Sequence, residues 1–484
     1  MPTKPKNQTR TRNSGPHSKL ETLFHVMKIL IIGNGISGIT AARHIRKKSD
    51  HELLVVSDES DFFFSRTALM YVYMGHLRQR DTQPYENWFW EKNRIALKRA
   101  RIQSIDFERK MALTAAGEAL SYDKLIIATG SRSNKFGWPG QDLEGVAGLY
   151  HLQDLESMER YSPGLQRAVI VGGGLIGVEM AEMFHSRQIP VTFLVREPAF
   201  WGSVLPLEEA TMVSRHLREH HIDLRLSTEL QEIQADAGGQ RVGAVVTKAG
   251  ERIACGFVGL TVGVSPNIDF LKNSGLETKR GILVNAYLET NQPDVYAIGD
   301  CAELRQPPPG RRAIEAVWYC GRMMGEAVAR NLCEQIPTAY DPGIWFNSAK
   351  FFDIEYQVYG DIQAALPAEQ ATLYWEHPKG KKSIRINYER STGRVLGFNL
   401  MGVRYRQEVC EKWLRTHAPI ETVLPQLGLA NFDPEFCPEH EAELVQRYNQ
   451  QSGKKLSLQQ KRGLPAVLRF LSLTQNSKLK TQNS

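Results

Sequence analysis

The chain has 484 residues, 42% of them hydrophobic and 23% charged, which excludes both a single-core domain and an unfolded polyelectrolyte and predicts about two to four domains. The formal charge of +7 is carried by the ends: residues 1–26 hold a net +4 and residues 451–484 a net +7, while 27–450 hold a net −4. The body therefore offers no support for a nucleic-acid surface, and no apolar run reaches the roughly 18 residues of a membrane span or forms the core of a secretion signal.

Residues 1–26 are polar and basic, with Pro2, Pro5 and Pro16 and no periodicity, and are predicted to be disordered. Met27-Lys28 directly precede the first apolar run, so Met27 is either the start of translation or the foot of a flexible arm. From there the pattern is strand, turn, helix, strand. The strand at 28–32 leads into Gly33-Asn34-Gly35-Ile36-Ser37-Gly38, a helix at 36–48 follows, and the next strand is Leu53–Val56. A G-x-G-x-x-G turn between a strand and a helix lets the chain reverse sharply and aims backbone N–H groups and the helix dipole at a pyrophosphate. The second strand then ends in Ser57-Asp58-Glu59, where an acid accepts hydrogen bonds from an adenosine ribose. Asp58 is the first choice and Glu59 its neighbour; solvated turn residues are the alternative.

Residues 62–74 are dense in aromatic side chains and Met, which can wall a bound ring or pack a core. Tyr122–Gly130 reads as a buried strand ending in a tight turn at Ala128-Thr129-Gly130. After the break at Ser162-Pro163-Gly164 the strand–turn–helix pattern recurs: Ala168–Val171, then Gly172-Gly173-Gly174-Leu175-Ile176-Gly177, then a helix at 175–187 and a strand at 191–195. One such turn is a weak signal; two in one chain imply two bound dinucleotides. After the second unit's strand come Val195-Arg196-Glu197. An acid in the first slot would accept a ribose 2′-hydroxyl, and Arg196 would pair with a 2′-phosphate, so the reading stays NAD(P)H, leaning to NADPH.

Asp294–Asp300 reads as a further strand, followed by a helix at about 313–332. In 340–450, alternation in Ser383–Tyr388 and Val395–Leu400 predicts antiparallel strands joined by a hairpin at Thr392-Gly393. Residues 451–484 are Lys-, Gln- and Ser-rich and predicted flexible, with Leu464, Val467, Leu468 and Leu471 at helical spacing that leaves a weak membrane-surface contact open. The six cysteines, Cys255, Cys301, Cys320, Cys333, Cys410 and Cys437, form no CxxC or cluster. This predicts no metal site and fits a reducing cytoplasm.

Taken in this order, the motifs of 27–335 resemble the FAD-dependent pyridine-nucleotide oxidoreductases with two dinucleotide-binding domains. Tyr122–Gly130 with Ser131-Arg132 is similar to that family's ATG turn, Gly263-Val264-Ser265-Pro266-Asn267 to its G-x-x-P-N turn, and Tyr296–Ala302 to its second FAD fingerprint. The resemblance implies an α/β fold with two Rossmann-like domains in a glutathione-reductase-like arrangement plus a C-terminal α+β domain. It implies a discontinuous FAD-binding domain (27–150 and 286–335), an NAD(P)H-binding domain (151–285) and an interface domain (336–450) that often forms a homodimer. FAD would be held by Gly33, Gly35, Ile36, Ser37, Gly38, Asp58, Glu59, Arg66, Ala128, Thr129, Gly130, Arg132, Gly299 and Asp300. NAD(P)H would be held by Gly172, Gly174, Leu175, Ile176, Gly177, Arg196 and Gly263, and Glu179 would lie near the flavin–nicotinamide stack.

Disulfide reductases of this family carry a redox Cys pair or a reactive Cys after the first unit. Here Phe62–Tyr71 contains none, and Arg66 stands in its place. His377-Pro378 is followed by Lys379-Gly380-Lys381-Lys382 and reads as a basic turn, not an acid/base pair. The stretch is instead similar to the reductases of ferredoxins and rubredoxins and to apoptosis-inducing-factor flavoproteins, although Tyr71 stands where relatives often have Lys. The resemblance thus implies hydride transfer from NAD(P)H to FAD, then electrons to an external acceptor: a ferredoxin- or rubredoxin-like protein, or a quinone. Two alternatives remain: an NAD(P)H-responsive flavoprotein acting through partner binding, and the flavin subunit of a larger iron–sulfur or nitrite-reducing system.

Overall fold

The computed structural model describes residues 26–432 and 438–459. The expectations for the basic arm 1–25, for Cys437 and for the apolar spacing at 464–471 lie outside the described residues.

The first sheet has five parallel strands in the order Val295–Ala297, Lys124–Ile127, Lys28–Ile32, Glu52–Ser57, Ile95–Arg99. Its central strand is an unbroken aliphatic run, and Ile29 to Ile32 are each at most 6% exposed. Such a run suits a parallel sheet covered on both faces rather than an alternating, half-solvated one. The helices Ile36–Lys48 and Trp318–Cys333 pack together beside it. They approach so closely that a Cβ on Gly325 would lie 2.6 Å from the Ser37 carbonyl oxygen. The chain leaves this sheet after Lys124–Ile127 and returns at Val295–Ala297, where Val295 lies opposite Leu125.

The excursion builds a second five-stranded parallel sheet in the order Asp223–Arg225, Val191–Leu194, Ala168–Val171, Phe257–Leu260, Val146–Ala147. The short strand Val146–Ala147, placed in the first unit by the sequence reading, is hydrogen-bonded at the edge of this second sheet. The helix expected from about 313 begins at Trp318. The preceding residues are held extended: Val317 has φ −134° and ψ 137°, and the Arg311 guanidinium pins the loop to the Glu315 carboxylate and to the carbonyls of Pro342 and Gly343.

The third sheet is antiparallel, in the order Phe346–Phe351, Ile354–Gly360, Val395–Met401, Ser383–Glu389, Gln370–Glu376. Ser383–Glu389 and Val395–Met401 pair across the expected hairpin, with Gly393 at φ +71°. This sheet docks on the helix Leu207–Glu219 of the second unit through a buried charge cluster. Arg385 donates to both carboxylate oxygens of the fully buried Glu209 at 2.7 and 2.8 Å and to Glu208 at 2.8 Å, and Asn399 donates to Glu209 at 3.1 Å. A buried pair satisfied on both sides fixes one relative placement of the elements, because any other leaves a charge unpaired.

Candidate functional site

The two Gly-rich turns have the same construction. In the first, Gly33 has φ +115°, and a Cβ there would sit 2.1 Å from the Ala128 carbonyl oxygen; a Cβ on Gly38 would sit 2.0 Å from the Gly33 carbonyl oxygen. In the second, Gly172 has φ +108° with Thr261 O 2.6 Å from its Cβ position, and a Cβ on Gly177 would meet Gly172 O at 2.6 Å. The middle glycines differ from these. Gly35 and Gly174 precede the first residues of the helices Ile36–Lys48 and Leu175–Ser186, and nothing lies within 4 Å of either Cβ position. The outer glycines are required by the turn and its packing, whereas the middle ones leave an open approach to backbone N–H groups at a helix start.

A cleft of about 330 Å³ opens at the first turn. Gly33, Gly35, Ile36, Ser37, Asp58, Glu59, Arg66, Ala128, Thr129, Gly130, Arg132 and Asp300 line it. Gly38 and Gly299 are buried behind it; Gly299 has φ +74° and lies against the Ser37 hydroxyl. A second cleft of about 210 Å³ shares Asn34, Gly35, Ile36, Arg66, Tyr150 and Asp300 with the first. It continues over Phe63, Phe64, Leu69, Met70, Leu149 and Trp318, and reaches Ile176 and Glu179 on the helix of the second unit. Phe63 and Phe64 thus wall a cleft. Tyr71 instead stacks on His76, and Tyr73 is buried beneath the Arg187 guanidinium with its hydroxyl bonded to Ser162.

The acids at the end of the second strand have separate roles in the structure. Asp58 is exposed on the cleft and has no hydrogen bond or ion pair to any described residue. Glu59 is committed to Arg66, whose guanidinium donates to its two oxygens at 2.8 and 2.6 Å, and Glu59 also accepts the Leu152 N–H at 2.9 Å. Burial pushes the Glu59 carboxyl up, but hydrogen bonds from His151 and Arg66, the Arg66 charge and the Leu152 N–H outweigh it and hold the group at about 2. Arg66 is fixed further: it donates to the Tyr150 carbonyl and lies 4.5 Å above the Tyr150 ring.

A folded-state value of about 2 against 4.5 for the free group has a defined sign. The pair contributes stability in full above pH 4.5, and that contribution is lost as pH falls through about 2. Glu59→Gln is therefore expected to lower stability near neutral pH by roughly 2–3 kcal/mol, because Arg66 loses its charge partner. Thermal unfolding followed across this range checks it: the gap between wild type and variant should close towards acid, and parallel curves would refute the assignment.

Asp300 Oδ2 accepts the Tyr150 hydroxyl at 3.0 Å and the Ser131 hydroxyl at 3.2 Å, and the Tyr150 oxygen accepts the Ser131 N–H at 3.0 Å. Burial pushes the Asp300 carboxyl up, and these hydrogen bonds with the Arg66 charge offset only part of the rise. Tyr150 therefore connects Arg66 to Asp300. It belongs to none of the sequence motifs, and only the folded chain brings it there; the same holds for Trp318. Arg132 forms an ion pair with Asp269 at the cleft mouth. Glu179 is enclosed in the second cleft, and burial, with the Glu182 charge adding, raises its carboxyl to about 7.

Around the second turn, Gly172 N–H donates to Leu194 O, and the Thr261 hydroxyl donates to the carbonyls of Val171 and Gly172. Gly263, at φ +89°, follows directly. Leu175 and Ile176 form the helix start. Arg196 is 74% exposed beyond the neighbouring strand and pairs with Glu197 at 3.0 Å.

The five described cysteines are all free. Burial pushes the thiols of Cys255 and Cys320 up to about 12, and Cys301, fully buried beside Asp300, is also raised by burial. None is a ready thiolate nucleophile. No described helix is long and apolar enough to cross a membrane.

The model of the family described as pyridine nucleotide-disulphide oxidoreductase matches residues 27–341. An NAD(P)H nitrite reductase of Bacillus subtilis is 26% identical over 373 residues, covering 76% of this chain and 45% of that protein. The chain thus spans less than half the length of that relative. Rhodocoxin reductase of Rhodococcus erythropolis is 30% identical over 333 residues, with 67% of this chain and 76% of that protein covered. The crystal structure of a ferredoxin reductase from Rhodopseudomonas palustris superposes with a TM-score of 0.71 at 25% identity, covering 78% of this chain and 91% of that one.

Proposed function

The chain belongs to the pyridine nucleotide-disulphide oxidoreductase family, and from that premise we propose that it is an NAD(P)H-dependent FAD oxidoreductase that passes electrons to an external acceptor without a redox disulfide. The observation that carries this reading is the continuity of the two clefts. They share six residues, and the second ends on Ile176 and Glu179 of the unit that bears the other Gly turn. One extended ligand can therefore run from the first turn to the junction where a ligand of the second turn arrives.

FAD fits the first cleft by the chemistry of its donors. The open Gly35 approach and the helix start suit the pyrophosphate, and free Asp58 suits the adenosine ribose. Asp300, with Tyr150 and Ser131 on one oxygen, would hold the ribityl chain. Phe63, Phe64 and Trp318 would wall the ring end and keep water from it. NAD(P)H would be held by Gly172, Gly174, Leu175, Ile176 and Gly177, with Arg196 and Gly263 nearby. When bound, FAD supplies acceptance of a hydride and release of single electrons. The protein supplies distance and orientation: Glu59 locks Arg66, Arg66 and Tyr150 fix the shared wall, and Glu179, its carboxyl raised by burial, would stand where the nicotinamide meets the flavin.

The acceptor is proposed to be a ferredoxin- or rubredoxin-like protein, a class supported by the rhodocoxin and ferredoxin reductases among the relatives; a quinone is the small-molecule option. The match to part of a nitrite reductase favours a second reading, in which the chain feeds a separate iron–sulfur component. The free cysteines among the described residues suit the proposed cytoplasmic setting. A panel of carriers assayed with both nicotinamides tests the proposal. Turnover should be supported by a one-electron protein carrier and should favour NADPH; failure of every carrier would refute an external acceptor. In the same assay Arg196→Glu is expected to shift the NADPH/NADH ratio of kcat/KM about tenfold towards NADH, and an unchanged ratio would remove Arg196 from the site.

A further inference from the structure

Away from both clefts, three side chains converge where the second unit meets the antiparallel sheet. His216 stands in the last turn of the helix Leu207–Glu219, and His220 is the residue that caps its C-terminus, so the i, i+4 spacing puts both on one face. Asp353 stands opposite, in the tight turn between Phe346–Phe351 and Ile354–Gly360, next to Phe352 at φ +56°. One ligand atom from each of the three lies within 4.8 Å of the others.

The second observation is the state of His216. The residue is 1% exposed, and its Nε2 faces Asp353 Oδ1 at 2.5 Å. His220 Nε2 is 3.2 Å from the same oxygen. The other ring nitrogen of His216 lies 3.5 Å from Glu219 Oε2, and a His that ligates a metal through one nitrogen commonly donates its other N–H to a carboxylate.

We propose that His216, His220 and Asp353 bind one divalent transition-metal ion, zinc being the best match to two imidazoles and a carboxylate with a fourth position left to water. Lys381, whose ammonium lies 3.1 Å from Asp353 Oδ2, holds the oxygen that the metal does not use. His220 is packed flat on Phe352, with ring centroids 4.4 Å apart, so both sides of the site are held by packing. The ion would clip the helix of the second unit to the antiparallel sheet, close to the Glu209–Arg385 cluster on the same helix.

Zn²⁺ titrated into the full-length, chelator-treated flavoprotein against a fluorescent zinc indicator tests this. One Zn²⁺ should bind per chain, and Asp353→Asn and His220→Gln should each weaken it by about tenfold or more. Both residues are partly exposed, so these variants are expected to fold; His216→Gln is the third arm. Added Zn²⁺ should also raise the Tm of wild type and not that of Asp353→Asn. Absence of a one-to-one site, or affinity unchanged in both Asp353→Asn and His220→Gln, would overturn the proposal.

Discussion

Gly35→Val is expected to empty the flavin site while leaving the fold in place. Gly35 has φ −70° and ψ −177°, an extended conformation open to any residue. Beyond its chain neighbours no atom lies within 4 Å of its Cβ position, so a side chain has room to enter there. The structural cost is that of a poorer residue at a helix N-cap, about 1 kcal/mol or less. The cost to the ligand is far larger, because the branched side chain occupies the approach to the backbone N–H groups at the start of the helix Ile36–Lys48. A loss on the order of 100-fold in FAD affinity is expected, equivalent to about 2.7 kcal/mol. The flavin-to-protein absorbance ratio after gel filtration, with far-ultraviolet circular dichroism as the control, reads both effects. Retained flavin with an intact fold would show that the first turn does not hold the pyrophosphate. Gly38→Ala is the contrasting case: its Cβ would fall 2.0 Å from the Gly33 carbonyl oxygen, so it attacks the fold before the ligand.

Gly174→Val is expected to have the complementary effect: flavin retained, NAD(P)H excluded. Gly174 has φ −123° and ψ −176°, and its Cβ position is equally open. The turn survives because Gly172 and Gly177, where a Cβ would meet backbone oxygens, are untouched. KM for NAD(P)H should rise on the order of 100-fold, while flavin content and re-oxidation by an acceptor stay as in wild type. If Gly174→Val instead loses its flavin, or keeps its KM, the assignment of the second turn to the exchangeable nucleotide fails.

The parts of this architecture written in contiguous residues were legible in the sequence. Ile29–Ile32 and Ala168–Val171 read as buried strands because parallel sheets bury both faces. The Gly turns read as turns because only glycine fits at Gly33 and Gly172. The hairpin at Gly393 followed from period-two alternation on both sides. What the sequence hid was assembled across distance. Nothing local distinguishes Asp58 from Glu59; Arg66 and the Leu152 N–H, which claim Glu59, arrive from other segments. Tyr150 acquires its place only when Arg66 and Asp300 flank it. The metal-site candidate joins the His216–His220 pair at a helix end to Asp353 far along the chain, and Trp318 starts its helix late because Arg311 and Glu315 hold the preceding loop. Local pattern specified the elements and the phosphate turns, while the tertiary fold specified which polar groups remained free for a ligand.

The central claim is that hydride passes from NAD(P)H to flavin and leaves from flavin with no thiol centre between. Anaerobic titration of the purified flavoprotein with NAD(P)H, followed at the flavin's visible band together with the count of reactive thiols, tests it most directly. Rapid bleaching is expected to end after two electrons per chain, with the thiol count unchanged and full recovery of colour when an oxidised one-electron carrier is added. Flavin that neither nicotinamide bleaches, or an uptake of four electrons with the appearance of two new thiols, would contradict it.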